Sequence, residues 1–475
     1  MNSIQQIVIK AIGEICSTIL KVGMSDVGKL TKALQPVTAG ITLDVLSLCA
    51  EQMDEALVVA AKSQRRLDGI QIKERDVKRT VMTNLGALHY KRTYFKLPDK
   101  TYAYLTDYLI GIESYERFTK QFIAELLELS TVKSYQHAIN VMGGVFSRQT
   151  VHDRLVSLGD LTVPVTKAEK TPEELDIFAD EDHAHLTPKG QAMVPLATVT
   201  EGIDKSNPNR HKTVNPLHIG GYGMSMDAFR ENVLAVLAER YDLGKVKQVN
   251  VHGDAAAWIR GLQQMIPHAR LVLDGYHLEK ELKAVLALEG AWRYTRVVRD
   301  CMSREDGYGA LERYCMRILE RQTTEQGREK VRNFVAYCAS HWDSIVLRMS
   351  GETCGSCTEP QVSHVLSDRL RRDPIAWSEQ GLNRMSMLLV FTKNGGKVRA
   401  EDVRIRVNER ERSRYAEKGF SMYWDYASKQ AEEVLKEKYD WGIFEHEYAG
   451  YGKVDWTHLV RKSLGSSQSL SQLLS

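Results

Sequence analysis

Apolar residues recur at helical spacing along the first 66 positions, beginning with Ile4, Val8 and Ile12. A spacing of three to four residues places such side chains on one face of a helix. We therefore predict a helical segment over residues 1–66, which packs against the rest of the chain or against a second copy.

The pattern changes from helical spacing to alternation after residue 66. Ile70 and Ile72 alternate with polar residues, and Thr80–Thr83 and Leu88–Phe95 flank the turn-forming Asn84-Leu85-Gly86. Alternation with a period of two is typical of strands that bury one face. We predict a β-rich segment over residues 67–112.

Helical spacing returns over residues 113–160. Ser134–Met142 and Ser147–Leu158 are separated by Gly143-Gly144, and Ser147 stands where a helix needs an N-cap. Helix, tight turn and helix is the pattern of a helix-turn-helix, whose second helix would enter the major groove of DNA. Ordinary helical hairpins share this pattern.

The stretch from 173 to 282 predicts a sheet that alternates with helices. Its strands and helices are predicted at Leu175–Ala179, Met193–Thr200, Thr213–Ile219, Asp227–Tyr241 (helix), Val249–Val251, Ala255–Ile266 (helix) and Ala269–Leu273. The order β-β-β-α-β-α-β predicts an α/β ribonuclease-H-like domain with a mixed sheet. A nucleotide-binding doubly wound sheet would alternate from the start and carry a glycine-rich first turn, which is missing here.

Acidic residues follow three of these predicted strands. Asp180 follows the first, Asp254 the fourth and Asp274 the fifth. Because the first and fourth strands of such a sheet are neighbours, Asp180 and Asp254 are expected to converge. Two converging carboxylates repel each other unless a divalent cation lies between them. Asp182 is an alternative to Asp180, since the register of the first strand is open.

Glu359 is the best third carboxylate. It opens a predicted helix with Thr358-x-x-Gln361 as a capping box and Pro360 in the first turn. The residues between Asp254 and Glu359 are mostly of helical pattern beyond 283, which predicts a helical insertion. The domains are therefore the catalytic part 173–282, the insertion 283–356, a second catalytic part 357–400 and a helical tail 401–475.

Composition and charge change this picture only locally. The 475 residues are 43% hydrophobic and 26% charged, and the net charge is +3. No continuous apolar run reaches the length of a membrane span and no signal peptide is visible, so we predict a cytoplasmic protein without a membrane segment. No P-loop occurs, so no nucleotide cofactor is expected.

The near-neutral total hides a basic segment. Residues 61–100 contain eleven Lys or Arg and four Asp or Glu, interleaved with Tyr90, Tyr94 and Phe95. Bases and aromatics together suit phosphates and nucleobases, although a solvated charged face has the same composition. The candidate DNA contacts are Arg75, Lys78, Arg79, Lys91 and Arg92 in this segment and Arg148, Gln149, His152 and Arg154 on the second predicted helix.

The seven cysteines are odd in number and scattered, which favours a reducing compartment. Cys354-x-x-Cys357 raises a zinc or redox hypothesis, but a tetrahedral site needs four ligands and His364 is the only candidate nearby in sequence. Two ordinary thiols in a loop are the alternative.

Several motifs in order resemble the ISLre-type bacterial insertion-sequence transposases, which are similar to the Mutator-like branch of the DDE superfamily. These are Arg92-Thr93-Tyr94-Phe95, Ala179-Asp180-Glu181-Asp182-His183, His252-Gly253-Asp254-Ala255, Leu273-Asp274-Gly275-Tyr276-His277 and Cys357-Thr358-Glu359-Pro360-Gln361. Two departures stand out: Ala255, where the family commonly has Gly, and Arg371-Arg372-Asp373-Pro374, where small hydroxyl residues are usual.

The resemblance implies Asp180, Asp254 and Glu359 as metal ligands for Mg²⁺, with Mn²⁺ as a substitute. It also implies that Asp274-x-x-His277 matches the Mutator-like signature after the fifth strand, where both residues contact the cut strand or form a structural pair. The expected function is a DDE transposase acting on double-stranded DNA as a homo-oligomer. The alternatives are a catalytically inactive DNA-binding relic or regulator and a metal-dependent structure-specific nuclease.

Overall fold

The structure is a computed structural model of the chain. It describes residues 4–68, 70–97, 100–144, 146–188, 190–207, 211–289, 294–354, 357–371 and 376–404. Among these residues, one compact unit comprises 4–126, 141–144 and 399–404, and a second comprises 127–140 and 146–398. The predicted tail 401–475 lies almost entirely outside the described residues.

The first unit combines the N-terminal helices with the basic β segment. Its elements are α1 (Ile4–Val22), α2 (Val27–Asp68), β1 (Gln71–Thr83), β2 (Gly86–Lys96), β3 (Tyr102–Ala103) and α3 (Leu105–Leu109), and α4 (Lys120–Val132) contains the boundary between the units. The strands form an antiparallel sheet in the order β1-β2-β3. The two segments predicted separately over 1–66 and 67–112 thus share one unit.

Helix α2 is the packing helix of this unit. Leu57 and Val58 are buried in one cluster with Phe95 and Leu97 from the sheet. The buried Asp54 carboxylate accepts hydrogen bonds from Thr93 N at 2.7 Å and Thr93 Oγ1 at 2.6 Å, so α2 is fixed to β2 by polar as well as apolar contacts. Burial raises the pKa of Asp54, and hydrogen bonds from Thr106 and Thr93 oppose that shift.

One helix has the length and hydropathy of a candidate membrane span, which the search for continuous apolar runs did not identify. This segment is Val27–Val59, within α2, and is 33 residues long. Its most apolar 18-residue window has a mean hydropathy of 1.4, and 11% of that window is buried. The continuous apolar runs are short, but the residues between them are mostly small and uncharged, so the mean hydropathy stays high over a longer window. The C-terminal part of the same helix carries the buried Asp54 and packs on the sheet, as a core helix does.

The second unit contains the predicted catalytic sheet and its helices. Its strands are β4 (Glu174–Leu186), β5 (Gly190–Thr200), β6 (Ile203–Asp204), β7 (Lys212–Thr213), β8 (Leu217–Gly220), β9 (Gln248–Gly253) and β10 (Ala269–Leu273). Its helices after α4 are α5 (Tyr135–Val141), α6 (Arg148–Val156), α7 (Met226–Arg240), α8 (Ala257–Met265), α9 (Gly275–Leu286), α10 (Tyr294–Met302), α11 (Gly307–Arg321), α12 (Glu325–Ser350), α13 (Thr358–Val362), α14 (Asp368–Leu370) and α15 (Glu379–Lys393).

Five strands form one mixed sheet in the order β10-β9-β4-β5-β8. β4, β5 and β8 are antiparallel neighbours, whereas β9 runs parallel to β4 and β10 parallel to β9. Within this sheet the predicted order of strands and helices is confirmed, and so is the prediction that the first and fourth strands are neighbours. The third predicted strand, Thr213–Ile219, is divided between β8 and β7, and β7 pairs with β6 in a separate two-stranded sheet.

The two faces of the sheet differ in polarity. One face packs Leu175, Ile177 and Val251 against α7 and α8, in a core that includes Phe229 and Trp258. A separate core joins Leu273 of β10 to helices α9–α12, so the predicted insertion is helical where it is described and begins at Gly275, not at 283. The opposite face of β4 and β9 carries polar residues.

β4 is longer than predicted. The predicted first strand ends at Ala179, but β4 continues to Leu186 because it pairs with β5 from Asp176 to Leu186 as a hairpin. Pairing with β9 stops at Phe178. Asp180 therefore lies within a strand, at the point where β4 extends beyond its parallel neighbour.

Candidate acidic site on the sheet

Three parallel strands carry their polar side chains in rows across one face of the sheet. The first row consists of Asp176, Asn250 and Arg270, which pair in register across the three strands. The second row, two residues further along each strand, consists of Phe178, His252 and Val272. Side-chain contacts follow the rows. Asn250 Nδ2 donates to Asp176 Oδ1 at 3.1 Å, Arg270 Nε donates to Asn250 Oδ1 at 2.7 Å, and the Phe178 and His252 rings lie 4.7 Å apart.

The next row in this register consists of the three predicted aspartates. Asp180, Asp254 and Asp274 are each two positions beyond a member of the second row. Alternate residues of a strand share a face, so the three side chains start from the face that carries the first two rows. Asp274 N donates to Gly253 O at 2.7 Å, which continues the pairing of β10 with β9 to this row. The structure thus places the backbones of three of the five predicted catalytic residues at neighbouring register positions, within β4 for Asp180 and just beyond the ends of β9 and β10 for Asp254 and Asp274.

Gly253 allows the two central strands to approach each other at this row. A Cβ atom on Gly253 would lie 2.7 Å from Ile259 Cδ1 and 2.9 Å from Ala179 O. Those distances are too short for any side chain, so the position is restricted to glycine by the backbone of β4 on one side and by α8 on the other. Asp180 follows Ala179 and Asp254 follows Gly253, so the two aspartates are next to the point where the backbones approach each other.

Backbone amides fix each carboxylate. Asp254 Oδ1 accepts from Ala256 N at 2.8 Å, Asp180 Oδ1 from Glu181 N at 2.9 Å, and Asp274 Oδ2 from Tyr276 N at 3.0 Å. Asp274 is 2% exposed, whereas Asp180 and Asp254 are half-buried. The two half-buried carboxylates are therefore the ones that a ligand from solvent reaches first.

The turn after Asp254 is strained. Ala255 has φ +67°, in the left-handed region that costs a non-glycine residue roughly 1–2 kcal/mol. The sequence analysis singled out this position because the resembling family commonly has Gly there. The structure gives the physical reason, since a glycine would adopt the same conformation without the strain.

The helix of Glu359 lies over the same face of the sheet. Before the helix, Cys354 Sγ is 3.9 Å from His252 Nε2, and after it Arg371 NH1 is 3.1 Å from Asp182 Oδ1. α13 packs on β4 between these two contacts, and Glu359 is exposed in its first turn. The predicted capping box was wrong: Cys357 is the N-cap, without a side-chain hydrogen bond, and Thr358 is already helical and buried.

Asp182, the alternative to Asp180, has a different environment. Its side chain is fully buried and forms the ion pair with Arg371. Asp180 is the more accessible of the two and lies in the row with Asp254, so the geometry favours Asp180 as the first ligand. Residues 372–375, which include the predicted departure from the family pattern, lie outside the described residues.

The donor set of the row fits a hard divalent cation. Asp180, Asp254 and, on the overlying helix, Glu359 supply only carboxylate oxygens, which Mg²⁺ and Mn²⁺ prefer over nitrogen or sulfur. Neighbouring carboxylates also repel each other unless a cation or a proton compensates them. Their oxygens do not form a group within 4.8 Å among the described residues, so holding Mg²⁺ or Mn²⁺ would require these side chains to move closer together.

Helix α12 contributes residues that the sequence analysis did not identify. Burial lowers the pKa of His341, Arg260 lowers it further, and Asp254 opposes that shift. Burial raises the pKa of Tyr337, and Cys338, Asp254, Glu281 and Asp274 raise it further. α12 departs from helical geometry at His341, with φ −129° and ψ 16°. No sequence signal marks that kink, because neither Pro nor Gly is present there.

A cation from the same helix borders the row. A Cβ on Gly275 would lie 2.8 Å from an Arg348 guanidinium nitrogen, so Arg348 packs beside the residue that follows Asp274. His277 is in the first turn of α9. Its side chain lies outside what the structure describes, and its predicted role stays a prediction.

The predicted DNA contacts of the β segment separate into two groups. Lys78 and Lys91 are exposed and directly opposite each other on β1 and β2, and Arg75 is exposed and pairs with Glu55. Arg92 is 7% exposed and pairs with Asp107, with its guanidinium 3.4 Å from the Tyr104 ring centroid. Arg79 Nε is 3.7 Å from the same Asp107. Arg92 and Arg79 are thus packing residues, and the structure does not support them as DNA contacts.

The predicted second helix of the helix-turn-helix is α6. Ser147 is its N-cap, as predicted, and accepts from Thr150 N at 3.2 Å. Arg148 and Gln149 are exposed, and Arg154 is half-buried. His152 Nε2 lies 2.9 Å from Ser378 Oγ at the start of α15, and the His152 side chain is 30% exposed, so its role as a DNA contact stays a prediction.

The fold and site define a mixed α/β chain with a row of carboxylates across adjacent parallel strands. The chain belongs to the uncharacterised protein family UPF0236, whose profile matches residues 21–409. Two UPF0236 proteins of Caldanaerobacter subterraneus subsp. tengcongensis are each 28% identical to it, over 385 residues (80% of each chain) and over 390 residues (81% of this chain and 82% of the relative). The name of the first joins eleven locus designations of one strain. A protein of Streptococcus gallolyticus, named as a UPF0236 protein in the vanSb 3′ region, is 22% identical over 406 residues, 82% of this chain and 86% of the relative.

Proposed function

We propose that this chain is a DDE transposase with a ribonuclease-H-like catalytic domain. It would cleave the ends of an insertion sequence in the cytoplasm and join the released 3′-hydroxyl to target DNA. The observation that carries the proposal is the row of Asp180, Asp254 and Asp274 across three parallel strands, with the helix of Glu359 over the same face.

Two further observations support it. The strand order, with three antiparallel strands followed by two parallel ones next to the first, is the order that the ribonuclease-H-like prediction requires. The relative encoded at eleven loci of one strain is what a mobile element that copies itself would leave in a genome.

The chemistry follows from the residues of the row. Asp180, Asp254 and Glu359 would hold Mg²⁺ or Mn²⁺, which when bound activates water and compensates charge on the phosphodiester. The backbone amides that bind Asp254 Oδ1 and Asp180 Oδ1 keep these carboxylates oriented. Asp274, buried beside them, would position the cut strand, and Arg348 would face its phosphates.

Strand transfer with purified full-length protein tests the proposal. The substrate is duplex DNA carrying the sequences that flank the gene, with Mg²⁺ or Mn²⁺ and a second duplex as target. Asp254→Asn should lower joining at least about a hundredfold, because a ligand of the cation is lost, while binding of the duplex remains. Asp343→Asn, an exposed aspartate of α12, is the matched control and should join normally.

Three outcomes would contradict the proposal. Undiminished joining by Asp254→Asn would remove the aspartate row from catalysis. Binding without nicking by the wild type would identify a relic or regulator, and nicking without joining would identify a structure-specific nuclease.

A further inference from the structure

A second cluster of ligand-type side chains lies on the same face, with Asp176 in the first row and His252 in the second. The ligand atoms of Asp176, His252 and Cys354 all lie within 4.8 Å of one another. Asp176 is 4% exposed and His252 is fully buried. Residues of these three types rarely meet inside a protein core without a shared function, since each is costly to bury alone.

Cys357, three positions after Cys354 and the N-cap of α13, is the nearest candidate for a fourth ligand, although it is outside the group of three within 4.8 Å. Burial raises the pKa of the Cys357 thiol, and the Asp176 carboxylate raises it further. The positive charges of Arg348 and Lys205 oppose that shift. Burial also raises the pKa of Cys354, and Asp176 and then Cys357 add to that shift. Of the two thiols, Cys354 is the one whose Sγ lies within 4.8 Å of the Asp176 and His252 ligand atoms, and Cys357 would complete the set from the start of α13.

We propose that Asp176, His252, Cys354 and Cys357 form a structural zinc site. Zinc in structural sites takes four ligands from sulfur, imidazole nitrogen and carboxylate oxygen in a tetrahedron. With Zn–ligand bonds of roughly 2.0–2.3 Å, the edges of such a tetrahedron are about 3.3–3.8 Å. His252 Nε2 is 3.9 Å from Cys354 Sγ and 2.7 Å from Asp176 Oδ1, so both distances reach that range by shifts of less than 1 Å.

The geometry argues against a catalytic thiol. A Cys-His-Asp relay needs the thiol on one imidazole nitrogen and the carboxylate on the other, because the proton passes through the ring. Here Cys354 and Asp176 both approach Nε2 of His252. Because both partners approach the same nitrogen, the three ligand atoms are close to one another, as they are around a metal ion.

Charge at the cluster also fits zinc. Two thiolates, one carboxylate and a neutral imidazole around Zn²⁺ carry a net charge of −1, and Arg348 and Lys205 act on Cys357 from nearby. Zinc deprotonates coordinating thiols, so their raised pKa values describe the protein without metal.

The surrounding residues hold the cluster in place. Asn250 donates a hydrogen bond to Asp176 and accepts one from Arg270, and the Phe178 ring packs on the His252 ring. Outer partners of this kind orient metal ligands and are a regular part of such sites.

The site would tie the helix of Glu359 to the sheet. Asp176 belongs to β4, His252 to β9, and Cys357 is the N-cap of α13, two residues before Glu359. A zinc ion at this position joins the end of the helical insertion to the strands of Asp180 and Asp254. This inference rests on the cluster alone and does not depend on transposase activity.

Zinc content of the purified full chain tests the inference. After reconstitution with zinc and removal of loose metal, the wild type should hold equimolar zinc by mass spectrometry. Cys354→Ser and Cys357→Ser should each lose most of it, whereas Cys16→Ser, an exposed cysteine of α1, should retain it. Asp254→Asn should also retain it, which separates this site from the acidic row.

A second measurement covers variants that fail to fold. Cobalt added to the metal-stripped wild type should give the visible bands and thiolate charge-transfer absorption of tetrahedral cobalt with sulfur ligands. Absence of zinc from the reconstituted wild type, a cobalt spectrum without the thiolate band, or unchanged zinc in Cys357→Ser would each overturn the inference.

Discussion

His218 shows how one buried side chain can make stability depend on pH. Burial lowers the pKa of His218 to about 4, and Lys393 adds to the shift. The imidazole Nδ1 lies 3.0 Å from Thr198 Oγ1, and the backbone of the residue exchanges hydrogen bonds with Asn394. The folded chain therefore keeps this imidazole neutral where an unfolded chain would protonate it.

We expect the free energy of unfolding to fall as the pH drops through this range. In the unfolded chain the imidazole binds a proton below its usual pKa of about 6.5, whereas in the folded chain it does so only near pH 4. This difference lowers the free energy of unfolding by about 2 kcal/mol between roughly pH 7.5 and pH 5. His218→Gln should remove that part of the slope. Urea unfolding of both proteins at the two pH values measures it.

The control is His89→Gln, which replaces an exposed imidazole of β2 and should leave the slope as in the wild type. Equal slopes for wild type and His218→Gln would show that this imidazole does not remain neutral in the folded chain.

Single residues were predictable where chemistry determines them. The aspartates at 180, 254 and 274 were found from their positions relative to predicted strands, and they do form one row. Arg92 was not recognised as a packing residue, since composition does not show that it would pair with the buried Asp107. Asp176 and His252 were not found because their partner cysteines are more than 100 positions away in sequence.

The hairpin of β1 and β2 supports a prediction about DNA binding. Lys78 and Lys91 are cross-strand partners, and like charges in this position are destabilising unless an anion lies over them. A double change, Lys78→Gln with Lys91→Gln, should weaken duplex binding and lower the salt slope of log K by roughly 1 for each lysine. Fluorescence anisotropy over a series of salt concentrations measures that slope.

Lys245→Gln with Lys247→Gln is the matched control. Those lysines are exposed and already paired, with Asp242 at 2.9 Å and Glu173 at 2.8 Å. A salt slope that stays the same in the Lys78 and Lys91 variant would exclude the hairpin from the DNA interface.

Elements were predicted in order but less well in extent. Alternation and helical spacing gave the series of strands and helices from 173 to 273, since both patterns are local. The length of β4 was not predictable, because it depends on pairing with β5 and not on its own sequence. The start of α13 was displaced by one residue for a similar reason: burial of Thr358 removes it from the N-cap position.

At the scale of the whole molecule, the proposed cation site predicts that the stability of the chain depends on divalent cations. Millimolar Mg²⁺ should raise the thermal midpoint of the wild type, because the cation binds the folded chain and compensates adjacent carboxylates. Asp254→Asn should melt about 2–4 °C higher than the wild type without Mg²⁺, if one repulsion of about 1 kcal/mol is removed. It should respond little to added Mg²⁺.

Differential scanning calorimetry with and without Mg²⁺ measures both effects, and Asp343→Asn should behave as the wild type does. A Mg²⁺ response in Asp254→Asn as large as in the wild type would show that the cation binds elsewhere.

The order of residues along the chain also determines when the site is complete during synthesis. All three aspartates are present once β10 is made, but Glu359 follows Asp274 by 85 residues, nearly all of them in the helical insertion. At a bacterial rate of about 5–20 residues per second, that interval is roughly 4–17 s. On the ribosome the sheet can therefore form while the glutamate is still absent, and the site is assembled last, after the insertion has had time to fold.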